Sequence, residues 1–494
     1  MNSSQPKGQK QILAIVAGVL AAILIILIPN SSDAQLRIST SSTKKEVDGR
    51  KTTINYKDWQ KQYKIQFEGD FELSDDDADI IKVSRGGYFE ISRSAFGTRR
   101  RVIIESDNGN DLVKEYFVGR ERVPFEPEGR EWLAEVLPDI VRSTTIGAES
   151  RVDRFYRKGG VDGVLGEVNE LDGDFLKHHY LNILLDKREL SDEDLAKVII
   201  EGSDEIGSDY YISELLKNNE RQLLASETTL KAYIEASEEI DSDHYRAEVL
   251  KKALRNDELN DDLLEAVLES ARDVDSDHYL TEILRETLDE RALDDELIKL
   301  VIRAARSIDS DHYQSELFRD ALRHDNISRD SYWEIVDAAG NIGSDHYKTE
   351  LFKEVLEENM EEEVLVKMLV NIDEDISSDH YAHILLTEII ANQNLGVESI
   401  RAYIDAAEGV GSDHYSSQII RKAADHADMD KELVMALLEI CSDINSDFYL
   451  MEALTSLAPF INDSQDSDLR AAYREVARDI GSDTYYGRAM KALD

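Results

Sequence analysis

Apolar residues recur at helical spacing through the C-terminal part of the chain, in blocks separated by short polar stretches. The block that begins at Ser242 illustrates the pattern. It contains two sets of apolar residues: Tyr245, Val249, Leu250 and Leu254, then Leu264, Val267, Leu268, Ala271 and Val274. Each set lies on one face of a helix, so the block predicts two helices joined by a turn. Such a hairpin is too small to bury its own apolar faces, and stacked neighbours must cover them.

Each block opens with the same four-residue sequence motif, Ser-Asp-His-Tyr or a close variant, which we call the phrase. The phrase recurs every 34 residues from Ser208 to Ser446, and a last copy starts 36 residues later at Ser482. A fixed period in this range is the signature of a repeat architecture. Ser and Asp are good helix N-caps, so we predict that these pairs cap the first helices. The predicted caps are Ser208 and Asp209, Ser242 and Asp243, Ser276 and Asp277, Ser310 and Asp311, Ser344 and Asp345, Ser378 and Asp379, Ser412 and Asp413, and Ser446 and Asp447.

The fold class that follows is mostly α: a HEAT-like α-solenoid of about ten 34-residue helical hairpins. A degenerate first copy begins near Gly173, and the last copy, after Ser482, has room for one helix. Tetratricopeptide repeats have the same length, but they need a proline near the end of each unit. This chain has no proline between Asp139 and Ala458, so the generic hairpin describes it better.

A period of two replaces the helical period between residues 54 and 125, where Tyr63–Glu68 alternates between apolar and polar. Glycine-containing turns, including Asn108-Gly109, separate such runs and predict four to six antiparallel strands. The predicted domains are a cytoplasmic N-terminus 1–11, a transmembrane signal anchor 12–28, a linker 29–53, a β-rich head 54–125, a helical adaptor 126–171 and the α-solenoid 172–494. Within the adaptor we expect Pro138 to kink or end the first helix.

The run from Ile12 to Ile28 is apolar and uncharged, with Lys7 and Lys10 in front of it. Its length suits either a short membrane span or a signal peptide, and we favour an uncleaved anchor. Lysines before the run place the N-terminus in the cytoplasm. The bulk of the chain is therefore expected outside it, in the periplasm or at the cell surface.

The formal net charge of −46 excludes nucleic acid as a partner and favours basic proteins or cations, although solubility alone is a simpler explanation. Most of this charge lies in the solenoid, because the head is near neutral. The head's arginines are therefore candidates for docking on the solenoid. The 41% of hydrophobic residues is enough for a core. The single cysteine, Cys441, is expected to be a small core residue.

Two charged clusters in the head could each be read either as an ion-binding site or as ordinary charged surface. The run Asp75–Asp77 with Asp79 could bind a cation, but it lacks the spacing of a calcium loop, and a solvated loop is favoured. The run Arg99–Arg101 could hold an anion, but neighbouring strand positions point to opposite faces. In the solenoid, Glu214, Glu248, Glu282, Glu316 and Glu350 share one repeat position and are predicted to form a solvated row.

Six histidines share the next position of the phrase: His244, His278, His312, His346, His380 and His414. Stacked repeats separate equivalent side chains by about 10 Å, too far for a shared metal ion. We therefore predict a ladder in which each histidine hydrogen-bonds Asp or Ser of the next repeat, with pH sensing as an alternative. The tyrosine that follows each histidine is predicted to be in the core, with its hydroxyl on a polar partner.

Catalytic signatures are not found in the sequence. It has no glycine-rich phosphate loop, no His-Glu-x-x-His and no Gly-x-Ser-x-Gly. We therefore expect no enzymatic activity, no cofactor, and no catalytic, cofactor-binding or metal-ligating residue.

Three head and adaptor segments, followed by the Ile-x-Ser-Asp-x-Tyr units, carry a family resemblance: Arg85–Ile91, Thr98–Val102 and Trp132–Pro138. The chain resembles a poorly characterised bacterial cell-envelope family. In some proteins, the region typical of this family is attached to membrane zinc peptidases of the antibiotic-sensing type. No zinc-peptidase motif is present here, so the resemblance implies an envelope location and a sensing role, and no peptidase activity.

Two functions are consistent with these features. The first is a membrane-tethered extracytoplasmic scaffold whose acidic helical-repeat surface binds protein partners, with the membrane contacted through the N-terminal helix. The alternative is an envelope sensor or regulatory module that binds a ligand and signals to a membrane partner.

Overall fold

A computed structural model describes residues 42–493, except 49–50, 58–61, 96, 108–110, 257–258, 291–294, 325–326 and 426–428. The predicted cytoplasmic segment 1–11 and signal anchor 12–28 lie outside these residues. Among the residues that are described, no helix has the length and apolar character that a membrane span requires.

The N-terminal head is an antiparallel meander. Its strands are β1 Ser42–Asp48, β2 Lys51–Lys57, β3 Gln62–Glu68, β4 Phe71–Leu73, β5 Ile80–Val83, β6 Tyr88–Ala95, β7 Thr98–Ser106, β8 Leu112–Val118 and β9 Glu121–Val123. Seven of them form one sheet in the order β1-β2-β3-β6-β7-β8-β9, and β4 pairs with β5 as a separate hairpin. The head therefore has more strands than the predicted four to six. The first described strand, β1, lies inside the predicted linker 29–53. That prediction was wrong because the polar composition of β1 and β2 conceals their strand character.

The head's core is one face of the large sheet. Five residues form a cross-strand row on that face, each paired with the next across neighbouring strands: Ile54, Ile65, Ile91, Val102 and Tyr116. All five are buried. Helix α1, Arg130–Ser143, covers this face with an apolar stripe that includes Trp132, whose ring lies 5.9 Å from that of Tyr116.

The adaptor joins the head to the solenoid. A π-helical turn, Phe125–Gly129, leads into α1, which contains Pro138 and continues to Ser143. Of the two effects expected of Pro138, a kink or the end of the helix, the second is therefore wrong. Its flanking residues Leu137 and Val141 are both buried, and their packing against the head stabilises the helix on either side of the proline. Helix α2, Ala148–Asn169, is interrupted at Gly159 and Gly160, where the backbone leaves helical geometry.

The solenoid has two layers of helices. The first layer consists of α3 Asp174–Lys187, α5 Asp209–Asn218, α8 Asp243–Leu254, α10 Asp277–Glu290, α12 Asp311–Leu322, α14 Asp345–Val355, α16 Asp379–Asn392, α18 Asp413–Ala424, α20 Asp447–Ser464 and α22 Asp483–Leu493. The second consists of α4 Asp192–Asp204, α7 Glu227–Glu238, α9 Asp261–Ala271, α11 Asp295–Ala305, α13 Arg329–Ala339, α15 Glu362–Asp375, α17 Val397–Glu408, α19 Lys431–Ser442 and α21 Ser467–Ala477. A short helix, α6 Glu220–Leu223, lies between α5 and α7.

Each helix packs against its counterpart in the next hairpin, so one continuous apolar core runs through the array. Within the described residues the array comprises nine hairpins and the terminal helix α22, in agreement with the predicted ten units. Cys441 is fully buried in this core, as expected, and its burial raises the pKa of the thiol. The prediction of a mostly helical repeat protein preceded by an antiparallel sheet is therefore confirmed.

Candidate functional site: a ring ladder along the first-helix layer

The Ser-Asp pairs mark the start of each first helix, but the serine side chains do not cap it. The serine has extended backbone geometry at the N-cap position, with φ −77° and ψ 113° at Ser242. No capping hydrogen bond is made by the side chain of any serine whose cap geometry the structure describes, namely Ser208, Ser242, Ser310, Ser344, Ser378, Ser412 and Ser446. The predicted side-chain capping by serine is therefore wrong.

The aspartate of each pair bonds to the next repeat instead. Asp243 accepts hydrogen bonds from the backbone N–H groups of Asp275 at 3.3 Å and Ser276 at 2.9 Å. These amides precede α10 and have no partner within that helix. As the first residue of α8, Asp243 also places its negative charge at the positive end of a helix dipole. The carboxylate thus links two repeats and is not simply a cap on its own helix.

The same bond joins successive repeats along the array. Its acceptor is the aspartate of one repeat, and its donor is the backbone N–H of a residue at the start of the next. The donor–acceptor distances are 2.8–3.2 Å for the pairs Asp174–Gly207, Asp209–Ser242, Asp243–Ser276, Asp277–Ser310, Asp311–Gly343, Asp345–Ser378, Asp379–Gly411, Asp413–Ser446 and Asp447–Gly481. We call this set the aspartate clamps.

The histidines do form a ladder, but each histidine ring contacts tyrosine rings and not an Asp or Ser side chain. The His244 ring lies 5.1 Å from the ring of Tyr245 in its own repeat and 5.5 Å from that of Tyr279 in the next, as measured between ring centroids. The predicted hydrogen bond to Asp or Ser of the next repeat is therefore wrong. Because each aspartate already binds backbone amides, the exposed imidazole packs against the neighbouring aromatic ring.

All six histidines make this contact. The centroid distances to the next tyrosine are 5.2–6.1 Å and the interplanar angles 45–58° for His244–Tyr279, His278–Tyr313, His312–Tyr347, His346–Tyr381, His380–Tyr415 and His414–Tyr449. These tyrosines are half-buried at the margin of the core, not inside it as predicted.

Other rings continue the series at both ends. Tyr210 takes the histidine position beside Tyr245, at 5.9 Å, and Phe448 takes it beside Tyr485, at 5.8 Å. What the copies from Ser208 to Ser446 share at this position is therefore a planar ring and not an imidazole. We call the continuous series of rings from Tyr210 to Tyr485 the ring ladder.

A row of ion pairs follows the ring ladder one helical turn further on. Lys217 Nζ lies 2.8 Å from Glu248, Lys251 Nζ lies 2.7 Å from Glu282, and Arg285 lies 2.9 Å from Glu316, each pair bridging two repeats. The hydrogen bond from the basic residue lowers the pKa of each of these glutamates. Three glutamates of the predicted solvated row thus form inter-repeat ion pairs while staying 38–40% exposed. Glu214 and Glu350 pair with basic residues of their own helices.

The same glutamates approach the ladder histidines. The distance from histidine Nε2 to the glutamate four residues later is 3.9 Å for His244–Glu248, 3.6 Å for His278–Glu282 and 3.8 Å for His312–Glu316. The described residues contain no group of three or more His, Cys, Asp or Glu side chains arranged to hold a metal ion.

A buried charge network joins the head to the solenoid. Asp77, in the loop between β4 and β5, accepts hydrogen bonds from Arg151 at 3.0 Å and Arg154 at 2.6 Å, both in α2. Arg151 is fully buried and also bonds Glu167 and the hydroxyl of Tyr180. The favoured interpretation of this run as a solvated loop is therefore wrong at Asp77, because two arginines neutralise its charge.

The head's arginine cluster stays within the head. Arg99 and Arg101 lie 3.7 and 3.9 Å from Glu90, and Arg101 also stacks on Phe117. At Asp77 the adaptor supplies the arginines and the head supplies the carboxylate. Elsewhere Arg93 of the head pairs with Glu135 of the adaptor at 3.4 Å. Sequence reasoning missed Arg151, whose partner lies 74 residues away.

No known protein-family model matches this chain, and no curated protein matches it. Two solved structures of repeat proteins show weak similarity. One, described as "Computational Design of Self-Assembling Cyclic Protein Homooligomers", is 14% identical over 65% of this chain and 93% of that chain, with a TM-score of 0.10. Another, described as "Circular tandem repeat protein with novel repeat topology and enhanced subunit contact surfaces", is 14% identical over 75% of this chain and 69% of that chain, with a TM-score of 0.12.

These TM-scores are too low to support any argument. The contacts described above define the class by themselves: a helical-repeat protein with an antiparallel sheet at its N-terminal end.

Proposed function

We propose that this protein is a membrane-tethered extracytoplasmic scaffold whose acidic helical-repeat surface binds protein partners. The observation that carries the proposal is the ring ladder, a continuous series of half-exposed rings on one layer of the solenoid. The side chains of His244, His278 and His312 are 47–53% exposed, and Phe448 is 42% exposed. Aromatic side chains are enriched where proteins bind one another, and solenoids typically bind partners along such extended surfaces.

The repeat contacts support a surface with fixed spacing. The aspartate clamps and the ion pairs both join neighbouring first helices, on either side of the ladder rings along the helix axis. Rings held in this way lose little conformational entropy when a partner binds, which favours affinity. The surplus of carboxylates in the solenoid favours basic protein partners and disfavours nucleic acid.

The membrane tether and the extracytoplasmic location rest on the sequence. The apolar run 12–28 behind Lys7 and Lys10, and the resemblance to a cell-envelope family, support them. No enzymatic activity is proposed.

Crosslinking in intact cells, followed by purification of the tagged full chain and mass spectrometry, tests the proposal. We expect a small set of proteins to be enriched over a tagged, unrelated membrane protein. Without crosslinker, raising the salt to about 0.5 M should release them, because salt screens exposed charge pairs. If no protein is enriched over the control, the scaffold proposal fails.

The sensor alternative is favoured by a different observation, the buried network at the junction. A change at the β4–β5 loop would reach α2 and α3 through Asp77, Arg151 and Tyr180. This alternative predicts a ligand- or pH-dependent shift in melting temperature and no stable co-purifying protein.

A further inference from the structure

We infer that the ring ladder is the docking surface for an extended, arginine- or lysine-rich segment of the partner protein. This inference rests on the proposed function and goes further by naming the surface and the chemistry of the segment that occupies it. Three features of the ladder support it: the exposure of its rings, the carboxylates around them and their spacing.

The rings offer faces to a cation. Each ladder histidine is tilted by 45–58° against the next tyrosine, so neighbouring rings do not cover one another face to face. All six histidines are exposed. Guanidinium and ammonium groups bind the faces of aromatic rings, and arginine does so most often.

Carboxylates lie before and after each of these rings along the chain. Asp241, Asp275 and Asp309 stand three residues before the first three histidines and are exposed. The glutamates four residues after the same histidines lie within 3.9 Å of the imidazoles. None of the ladder phrases from Ser208 to Tyr449 contains Lys or Arg between its Ser and its Tyr. The glutamates already pair with Lys217, Lys251 and Arg285, so a cationic side chain on the ladder would meet the ring faces and the charge of these exposed aspartates.

The spacing of the rings indicates an extended segment. Consecutive ladder histidines are linked through one tyrosine, since the ring of Tyr279 lies 5.5 Å from that of His244 and 5.1 Å from that of His278. Equivalent positions are thus about 10 Å apart, the usual separation of packed helices. A polyproline II segment advances about 9 Å in three residues and presents every third side chain on the same side. Arginines at every third position would then meet successive ladder rings.

Two peptides of identical composition and charge test this inference. The first is a fluorescent 15-residue peptide with the repeating sequence Arg-Pro-Ser, and the second carries the same residues with the five arginines contiguous. Binding to the full chain in detergent is followed by fluorescence anisotropy at about pH 8. We expect the repeating peptide to bind about tenfold more tightly than the clustered one, because only its arginines match the ring spacing.

Substitutions assign the binding to the rings. The ladder variant carries His278→Thr, His312→Thr and His346→Thr, since the chain's last copy already has Thr484 at this position. A ring-retaining variant carries phenylalanine at the same three positions, as Phe448 does naturally. The control removes three exposed apolar side chains from second-layer helices: Trp333→Ala, Val397→Ala and Met435→Ala.

We expect the threonine variant to bind the repeating peptide about tenfold more weakly, and the phenylalanine and control variants to bind it as the wild type does. Equal binding by the threonine variant, or equal loss in the phenylalanine variant, would overturn the inference. If the threonine variant unfolds, as judged by circular dichroism, the comparison of the two peptides on the wild-type chain still tests the inference. Cellular partners that bind the threonine variant unchanged would leave the scaffold proposal standing and refute only the docking surface.

Discussion

Arg151 Nε donates a hydrogen bond to Asp77 Oδ2 across 3.0 Å, and this contact links the head to the first helices after it. The two residues are 74 positions apart, and both are buried. A buried carboxylate is tolerated only when it is paired, so each residue makes the burial of the other possible. The head is therefore joined to α2 and, through Tyr180, to α3 by buried ionic contacts and hydrogen bonds.

Replacing Arg151 by methionine should lower the free energy of unfolding by about 3–5 kcal/mol, because Asp77 and Glu167 then lose a buried partner. Denaturant unfolding measures this, followed by the fluorescence of Trp132 in a chain whose other two tryptophans are phenylalanine. Lys158→Ala is the matched control at the same junction. Its pair with Asp75 is exposed, and its loss should change the free energy by less than about 1 kcal/mol. Equal effects of the two substitutions would contradict the buried network.

Removing one aspartate clamp should reduce the protection of nearby backbone amides from hydrogen exchange. Asp277→Ala removes the acceptor for the backbone N–H groups of Asp309 at 3.1 Å and Ser310 at 2.9 Å. Those amides then lack a partner, and the array should lose about 1–3 kcal/mol. Hydrogen exchange should accelerate at the start of α12. Asp273→Ala, at a site with a 74% exposed side chain, should leave exchange there unchanged, and acceleration in both variants would argue against a specific clamp.

The inter-repeat ion pairs predict a pH dependence. Hydrogen bonds from Lys217, Lys251 and Arg285 lower the pKa values of Glu248, Glu282 and Glu316 in the folded chain. Their contribution to stability is therefore present above the unfolded pKa, about 4.3, and is lost as the pH falls through the lower folded values.

A variant with glutamine at these three positions isolates this contribution from the remaining carboxylates. Its melting temperature should lie below that of the wild type at pH 7, and the gap should narrow as the pH falls below about 4.3. A gap that stays constant down to pH 3 would show that the pairs do not stabilise the folded chain.

Lys348 predicts a stabilising substitution. Its side chain is 1% exposed, and its Nζ has long hydrogen bonds to the carbonyl oxygens of Gly340 at 3.3 Å and Asp375 at 3.4 Å, with the carboxylate of Asp375 at 3.8 Å. Burial lowers the pKa of this lysine. Other repeats have Leu280 and Leu450 at the equivalent position, so Lys348→Met should stabilise the chain by about 1 kcal/mol. Lys353→Met, at a half-exposed site on the same helix, serves as the control and should change stability little. A destabilised Lys348→Met chain would show that the ammonium group is well satisfied.

The helical array follows from the sequence because its signal is repeated. Val249, Leu250, Leu264 and Val267 were predicted to be buried from their spacing alone, and all are. The strands β1 and β2 were missed because a strand with a polar or solvated face has no apolar alternation to reveal it. The edge position of β1 in the sheet tolerates lysines such as Lys44 and Lys45.

The chemistry of the recurring phrase was harder to predict. Each aspartate accepts a hydrogen bond from a backbone N–H group of the next repeat. Ser, Gly, Asp and Asn all supply the same N–H group, so the donor position shows no sequence pattern. The ring contact did leave a signal. Tyr210 and Phe448 replace histidine in the weaker copies, and both share with imidazole only a flat ring.

Site-specific photo-crosslinking in intact cells tests the scaffold account most directly. A benzophenone side chain placed at position 312, on the ring ladder, is compared with one at position 333, where the exposed Trp333 lies on the second layer. The account predicts a covalent adduct with a defined protein from position 312 and none from position 333. Adducts from position 333 alone, or from neither position, would contradict it.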